Sequence, residues 1–387
     1  VRFCYIRASI IMSEIKVDKI NNLAGTGAAN FTYGIKVGGV AQSIGSGTFT
    51  NNDTEPTSPS DGDIWYQPTL MYLDYRAGGE WKRVVGSGTA NPTPYFGDRM
   101  LVGGGNLVSS PYKTNAIRYI DITGSGGSTS FGSLTANRTS PSGTAGGTRG
   151  LFIGGVENTY VSTIEYVTTT GPGNAQSFGS LVGSYSNPAT ASNGITAITA
   201  MGSNQSSIEK ITIATTGNAS TWSSSLTDSR NVGTGASDGT KGFFMGGYSG
   251  SATNVIDYVT IATDANAADW GDLITARTGM GGNAACGTST RILVASGYNT
   301  SNQYISSIEY LNPASASNAY SFGNLTQTIA WVTSSCNETK AVWATGYNGS
   351  RTTLQNIVTI DTAANATTFG SYAFNTDSGG SLSGAAS

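Results

Sequence analysis

The chain of 387 residues contains no histidine. That absence excludes Ser-His-Asp and Cys-His nucleophiles, histidine-bound zinc, and the imidazole-bound copper of kelch-type oxidases. Cysteine is almost as scarce, with only Cys4, Cys286 and Cys336. So odd and scattered a set is no disulfide framework and cannot hold a zinc cluster. Cys286 and Cys336 fall at nearly equivalent places in adjacent repeats and read as two small buried residues. Charge is sparse too, at 11% of residues with a net of −3. No basic face is concentrated enough for nucleic acid or an extended anionic membrane contact. No apolar run approaches the ~20 residues of a membrane helix, so no membrane insertion is expected. No cofactor is expected either.

What is present is glycine, 53 residues of it, about twice the roughly 7% of average usage. Serine, threonine and asparagine fill most polar positions. With 38% hydrophobic residues set in alternation, this composition points to short strands and glycine-rich turns.

One phrase recurs. Ile117, Ile164, Ile208, Ile256 and Ile308 each open an Ile-x-x segment, with Gln355 in the sixth copy. An aromatic follows 14 residues later every time: Phe131, Phe178, Trp222, Trp270, Phe322 and Phe369. Asn-Ala or its equivalent precedes the aromatic at Asn174, Asn218, Asn266, Asn318 and Asn365. An apolar run ending in glycine precedes each Ile. Taking Gly104, Gly155, Gly202, Gly247, Gly297 and Gly346 as those ends, the spacings are 51, 47, 45, 50 and 49. A period near 48 with strand-type alternation is expected to give an all-β, six-bladed propeller of four-stranded blades. In the fourth copy, strand A is placed at "VGTGASDG", B at "KGFFMGG", C at "VIDYVTIAT" and D at "ADWGDL". Trp222 and Trp270 are read as repeat core.

The ends predict how the ring closes. The first copy begins at strand B, "DRMLVGG", while the chain ends on "NTDSGGSLSGAAS", which matches strand A elsewhere. The C-terminal strand is therefore expected to complete blade one and remove an exposed sheet edge. The Gly-Gly doublet, the strand C aromatic and the Trp or Phe before the next blade resemble the kelch motif over 92–387, although copies three, five and six keep one glycine. That resemblance implies the fold and says little about function.

Residues 12–91 differ from the repeats. "DIWY", "LMYLDY" and "EWKRV" read as three short strands, too few to bury a large core alone. "SEIKVDKI", "FTYGIKV" and the Pro-x-x-Pro-x-x-Gly-Asp-x-Trp-Tyr segment at Pro56–Tyr66 resemble the N-termini of tail-fibre and other virion structural proteins of tailed bacteriophages. This resemblance implies a β-rich attachment and oligomerisation module over 12–91 that contacts other virion proteins. It also implies an outward-facing propeller over 92–387, location on the virion tail or capsid surface, and homo-oligomerisation, with a trimer favoured. Residues 1–11 read as an upstream extension or a short arm.

No catalytic residue is expected. Glu165, Glu209, Asp257 and Glu309 occupy one repeated place, whereas an acid pair for catalysis needs two carboxylates in different environments. Arg138, Arg230 and Arg277 follow the strand D aromatic by seven or eight residues, and their sequence lacks the Asp-box pattern of six-bladed sialidases. Both sets are read as structural.

Binding is expected on one face. The C–D connection is constant in length. From the strand B glycine to strand C the separations are 13, 9, 6, 9, 11 and 9, and variable loops on a rigid scaffold carry specific contacts. These loops offer Tyr112, Tyr160, Tyr248, Tyr298, Gln303, Tyr304, Tyr347 and Arg351, side chains suited to stacking on and hydrogen-bonding a host surface glycan or receptor. The expected role is a phage tail fibre or adhesin. The alternatives are an architectural capsid decoration, head fibre or tail-body protein, and a polysaccharide-degrading spike.

Overall fold

A computed structural model describes residues 97–384 except 147 and 282–284, together with 20–21, 30–31, 36–37, 40–41, 47–51, 56–61, 63–67, 72–77 and 79–83. Residues 1–11, including Cys4, lie outside the described residues. The chain forms two compact units, Val1–Asn91 and Pro92–Ser387.

In the first unit, Ile64–Gln67, Tyr72–Ala77 and Glu80–Arg83 form an antiparallel meander. Gly47–Asn51 extends it by pairing in parallel with Ile64–Gln67, a strand the alternation pattern did not reveal. The Gly-Asp-x-Trp segment makes its own turn: the Ser60 N–H donates to the Asp63 carboxylate at 2.8 Å, and the Gly79 N–H to that of Asp61 at 2.9 Å. Ile64 and Trp65 are buried.

The second unit is a six-bladed β-propeller, and among its described residues there is no helix. Blade four is typical, with strands Thr234–Ser237 (A, innermost), Lys241–Met245 (B), Thr253–Thr260 (C) and Ala268–Arg277 (D, outermost) paired antiparallel. Strand D runs four residues beyond its expected end at Leu273, because Arg277 pairs with Thr253 on the far side of a register shift. A shift of this kind recurs in the C–D ladder of every blade, falling between Ile256 and Asp257 here and between Ile164 and Glu165 in blade two. The invariant 14-residue spacing is the footprint of this bulged hairpin. It seats the strand C tyrosine edge-on against the strand D aromatic, as in Tyr258–Trp270 with ring centroids 4.9 Å apart.

The ring closes as expected. Gly380–Gly384 pairs antiparallel with Arg99–Gly103 and becomes the inner strand of blade one, burying Leu382 with Leu101 and Phe152. A second latch was not foreseen. Asn106–Leu107, just after strand B of blade one, pairs with the end of strand D of blade six, Asn106 opposite Asp377.

The pairing also corrects the alignment of the first copy. Strand B of blade one ends at Gly103, so its doublet is Gly104-Gly105 and Gly105, not Gly104, matches Gly155, Gly247, Gly297 and Gly346. These five glycines have φ between +107° and +123°, and a Cβ on any of them meets a neighbouring atom within 2.9 Å. Only glycine fits there. The residue before sits near φ +60° in all six blades: Gly104, Gly154, Met201, Gly246, Ser296 and Thr345. This left-handed region admits a side chain at some cost, which explains the reduced doublet in copies three, five and six.

Each blade buries both faces against its neighbours, and the composition follows from that contact. Inner strands approach so closely that a Cβ on Gly143 or Gly235 would lie 2.4 Å from the adjacent blade's backbone. Hydroxyls bridge the same gap: Thr190 donates to the Gly143 carbonyl at 2.8 Å and Ser381 to that of Ser334 at 2.8 Å. The recurrent Asn of the C–D turn accepts a backbone N–H from the preceding blade's strand D, as Asn174 does from Ser133 at 3.0 Å and Asn318 from Asp272 at 3.0 Å. Cys286 and Cys336 are buried in neighbouring inner strands as free thiols.

The repeated acids and arginines are partners across blade seams. Arg230, at the end of blade three, reaches Asp257 in blade four at 2.7 Å. Arg277 binds Glu309 in blade five, and Arg138 lies 3.5 Å from Glu165 in blade two. All six side chains are buried. Burial pulls the Arg230 and Arg277 guanidinium groups below their ordinary pKa, and the facing carboxylates oppose that shift. At the remaining acid, Glu209, the arginine's place is taken by Tyr185, whose phenol is pushed up to about 12 by burial and by its hydrogen bond to Glu209.

Candidate functional site

The strand order places the B–C loops and the D–A crossings on one face of the ring. At one equivalent place each crossing has a residue in the left-handed region: Ser140, Asn187, Val232, Gly279, Trp331 and Ser378, with φ from +47° to +63°. Their backbones form a collar around the axis. The Ser140 N–H donates to the Ser378 carbonyl, Asn187 to Ser140, Gly279 to Val232, Trp331 to Gly279, and Ser378 to Trp331, at 2.7–3.1 Å. In these five crossings the left-handed turn points the N–H at the crossing before it. Because the backbone atoms are spent on the collar, the side chains of these residues are left to shape the opening.

Below the collar, the inner strands leave a channel of only about 100 Å³, lined by small residues such as Gly143, Ala191 and Ser335. Above it lies a cavity of about 380 Å³, lined by Asn106, Ser140, Asn187, Tyr298, Trp331, Tyr347, Arg351, Asp377 and Ser378. Its wall is uneven. Blades five and six contribute the aromatics, with Tyr298 and Trp331 ring centroids 6.4 Å apart. Behind them Tyr304 packs 4.8 Å from Tyr298 and 6.2 Å from Tyr347. Blades one to three contribute Asn106, Ser140 and Asn187.

Gly279 makes room for Tyr298 in this wall. A Cβ there would lie 2.6 Å from the Tyr298 ring, so the one crossing without a side chain is the one into which Tyr298 folds. The Tyr298 phenol is pushed up to about 12 by burial first and then by its hydrogen bond to Tyr304, against a bond from Trp331 that lowers it. It is therefore neutral at physiological pH. The cavity's two charges neutralise each other: Arg351 Nε lies 2.9 Å from Asp377 Oδ2, and Asn106 Nδ2 donates to Asp377 Oδ1 at 2.7 Å.

Of the residues singled out from the sequence, Tyr298, Tyr347 and Arg351 line this cavity and Tyr304 supports it. Tyr112, Tyr160 and Tyr248 stand outside it, 64%, 54% and 44% exposed. Tyr248 holds the same backbone position as Tyr298 and Tyr347, bridging the crossing on one side and the returning loop on the other, but its neighbouring crossing carries Val232 instead of glycine. Gln303 is exposed and is engaged within its own loop, its N–H donating to Asn299 Oδ1 at 3.0 Å. Sequence reasoning missed Trp331, Asn106, Asn187 and Asp377. Trp331 did carry a signal: it is a tryptophan in a slot where five other copies have Ser, Asn, Val, Gly and Ser.

Among the described residues no cluster of His, Cys, Asp or Glu could hold a metal ion, and no helix is long and apolar enough to cross a membrane. No protein-family model matches the chain, and no curated protein matches it.

Proposed function

We propose that this protein is a non-enzymatic recognition protein of a tailed-phage particle, in which residues 12–91 attach to the virion and the propeller presents a glycan-binding face to the host. The observation that carries this reading is the axial cavity. It gathers aromatic, amide and charged side chains on the face whose loops vary, while the constant turns of the opposite face are engaged in blade-to-blade bonds. Concave sites with an apolar wall and a few converging polar groups are the usual form of a small-ligand site. A binding role without catalysis is supported by the state of the acids. Glu165, Asp257 and Glu309 are committed to buried arginines, and Asp377 to Arg351 and Asn106. The N-terminal resemblance to virion proteins supports the attachment role of 12–91.

The test is labelling of a panel of intact bacterial strains with fluorescent full-length protein, alongside binding to purified phage particles. Labelling of host cells that is lost in Trp331→Ala/Tyr347→Ala, with thermal unfolding retained, supports the reading. Binding to particles with no labelling of any strain assigns the chain an architectural role instead.

A further inference from the structure

The chemistry of the axial cavity specifies its ligand more narrowly than a glycan at large. We propose that it accepts the uncharged terminal sugar of a surface glycan, with a pyranose ring against Trp331 and its hydroxyls on Asp377, Asn106 and Asn187. This rests on the reading of the propeller as a glycan-binding head.

Three observations lead there. The first is charge. Among the described residues, the ionised side chains lining the cavity are Arg351 and Asp377, which form an ion pair at 2.9 Å. An anionic sugar would face Asp377, and a quaternary ammonium in the aromatic corner would face Arg351. Each would have to compete with an existing ion pair, whereas a neutral sugar leaves it intact. The second is the division of the wall. Trp331, Tyr298 and Tyr347 provide apolar surface on one side, suited to the C–H face of a pyranose. The carboxylate of Asp377 in Tyr347's blade, with the amides of Asn106 and Asn187 and the Ser140 hydroxyl from blades one to three, offers both donors and acceptors, as vicinal hydroxyls require.

The third is the floor. Beneath the collar the inner strands leave a channel of only about 100 Å³, lined by small residues. A cavity of about 380 Å³ is near the small end of the usual 300–1,000 Å³ range. It suits the end of a glycan better than an internal stretch. The rim is lowest at blade three, where the connection from strand B to strand C is only Met201–Asn204, between strands ending at Ala200 and beginning at Gln205. Blade three stands opposite blade six in a six-membered ring, so the rest of the glycan leaves on the side facing the Tyr347 wall.

The experiment is competition for cell labelling by the full-length protein. The competitors are free glucose, galactose, mannose, N-acetylglucosamine and N-acetylgalactosamine as neutral probes. Glucuronate and sialic acid serve as anions, and choline as a cation. The expected result is that at least one neutral sugar displaces the protein while the anions and choline do not. Trp331→Ala and Asp377→Asn should each weaken labelling by about tenfold or more, equivalent to about 1.4 kcal/mol, and Tyr112→Ala, outside the cavity, should leave it unchanged. Thermal unfolding checks that each variant is folded. Stronger displacement by an anionic sugar or choline overturns the inference and leaves the recognition reading standing. So does full labelling by folded Trp331→Ala, which moves the site elsewhere on the face. Failure of the full-length protein to label any strain removes the recognition reading, and the inference with it.

Discussion

The seams between blades solve one packing problem in two ways. At the seams between blades one and two, three and four, and four and five, a buried arginine meets a buried carboxylate. Between blades five and six both are missing: Ile329 stands in the arginine's place and Asn356 in the acid's, both buried. Between six and one the pair is Thr376 and Arg118, whose guanidinium turns to its own turn and donates to the Ser128 carbonyl at 2.6 Å. Glu165, Glu209, Glu309 and Asn356 share one task, accepting a strand D amide, while Asp257 accepts the Thr227 hydroxyl at 2.6 Å. Ile274 N–H donates to Glu309 at 2.7 Å and Thr326 N–H to Asn356 at 2.8 Å; at the closing seam Ala373 N–H finds Ser128 Oγ at 2.9 Å. The recurring element is an acceptor for a strand D amide or hydroxyl. The ion pair is an addition: at the seam between blades two and three Glu209 is buried with Tyr185 in the arginine's place, and a phenol hydrogen bond stands in for the counter-charge.

This comparison makes the closing seam, which has no ion pair, the one most dependent on its latches. Truncation after Ser378 removes the inner strand of blade one and exposes the edge of Arg99–Gly103. The expected outcome is loss of cooperative unfolding and a tendency to aggregate, seen by calorimetry and light scattering; a truncated chain that still melts in one sharp transition refutes the latch.

At a charged seam, Asp257→Asn leaves Arg230 buried without its counter-charge and should cost about 3–5 kcal/mol. The double variant Arg230→Ile/Asp257→Asn copies the seam between blades five and six and should recover most of the loss. Urea unfolding of the wild type, both single variants and the double variant measures the coupling. A double variant no better than the worse single variant would mean that the two kinds of seam are not interchangeable.

The blade two–three seam sharpens the comparison through pH. Because the folded Tyr185 phenol titrates above its unfolded value of about 10, its contribution is complete below pH about 10 and is lost as pH rises through about 12. Tyr185→Phe should flatten that part of the stability profile while leaving the neutral-pH unfolding curve less altered than Asp257→Asn does. The smallest effect is expected at the doublet. Thr345→Gly relieves a left-handed, β-branched residue at φ +61° and should be neutral or slightly stabilising in thermal unfolding, whereas Gly346→Ala in the adjacent position should destabilise.

Much of the propeller was legible because repetition multiplies weak signals. Six copies of one 14-residue interval identify a hairpin that any single copy would leave ambiguous, and a missing strand at one end with a spare at the other locates the latch. Partner identity was harder to read. Arg230 and Asp257 each recur visibly, but nothing in a period of about 48 says that an arginine at the end of one blade faces the acid of the next. Their absences do not coincide copy by copy either: the arginine is missing from copies two, five and six, and the acid from copies one and six. The cavity was harder still. Tyr248, Tyr298 and Tyr347 are indistinguishable in the sequence; Val232 beside Tyr248 and Gly279 beside Tyr298 separate exposed from enclosed, while Tyr347 lines the cavity beside the crossing that carries Trp331.

By itself, then, the sequence determined the blade count, the hairpin geometry and the manner of closure, since these follow from local periodicity and from the need to leave no strand edge unpaired. Only the tertiary structure decided which side chains share the axial cavity. Membership there depends on contacts between residues from 19 positions apart, as Gly279 and Tyr298 are, to 271 apart, as Asn106 and Asp377 are, brought together by the rotation from blade to blade and by the room one missing Cβ leaves for a ring.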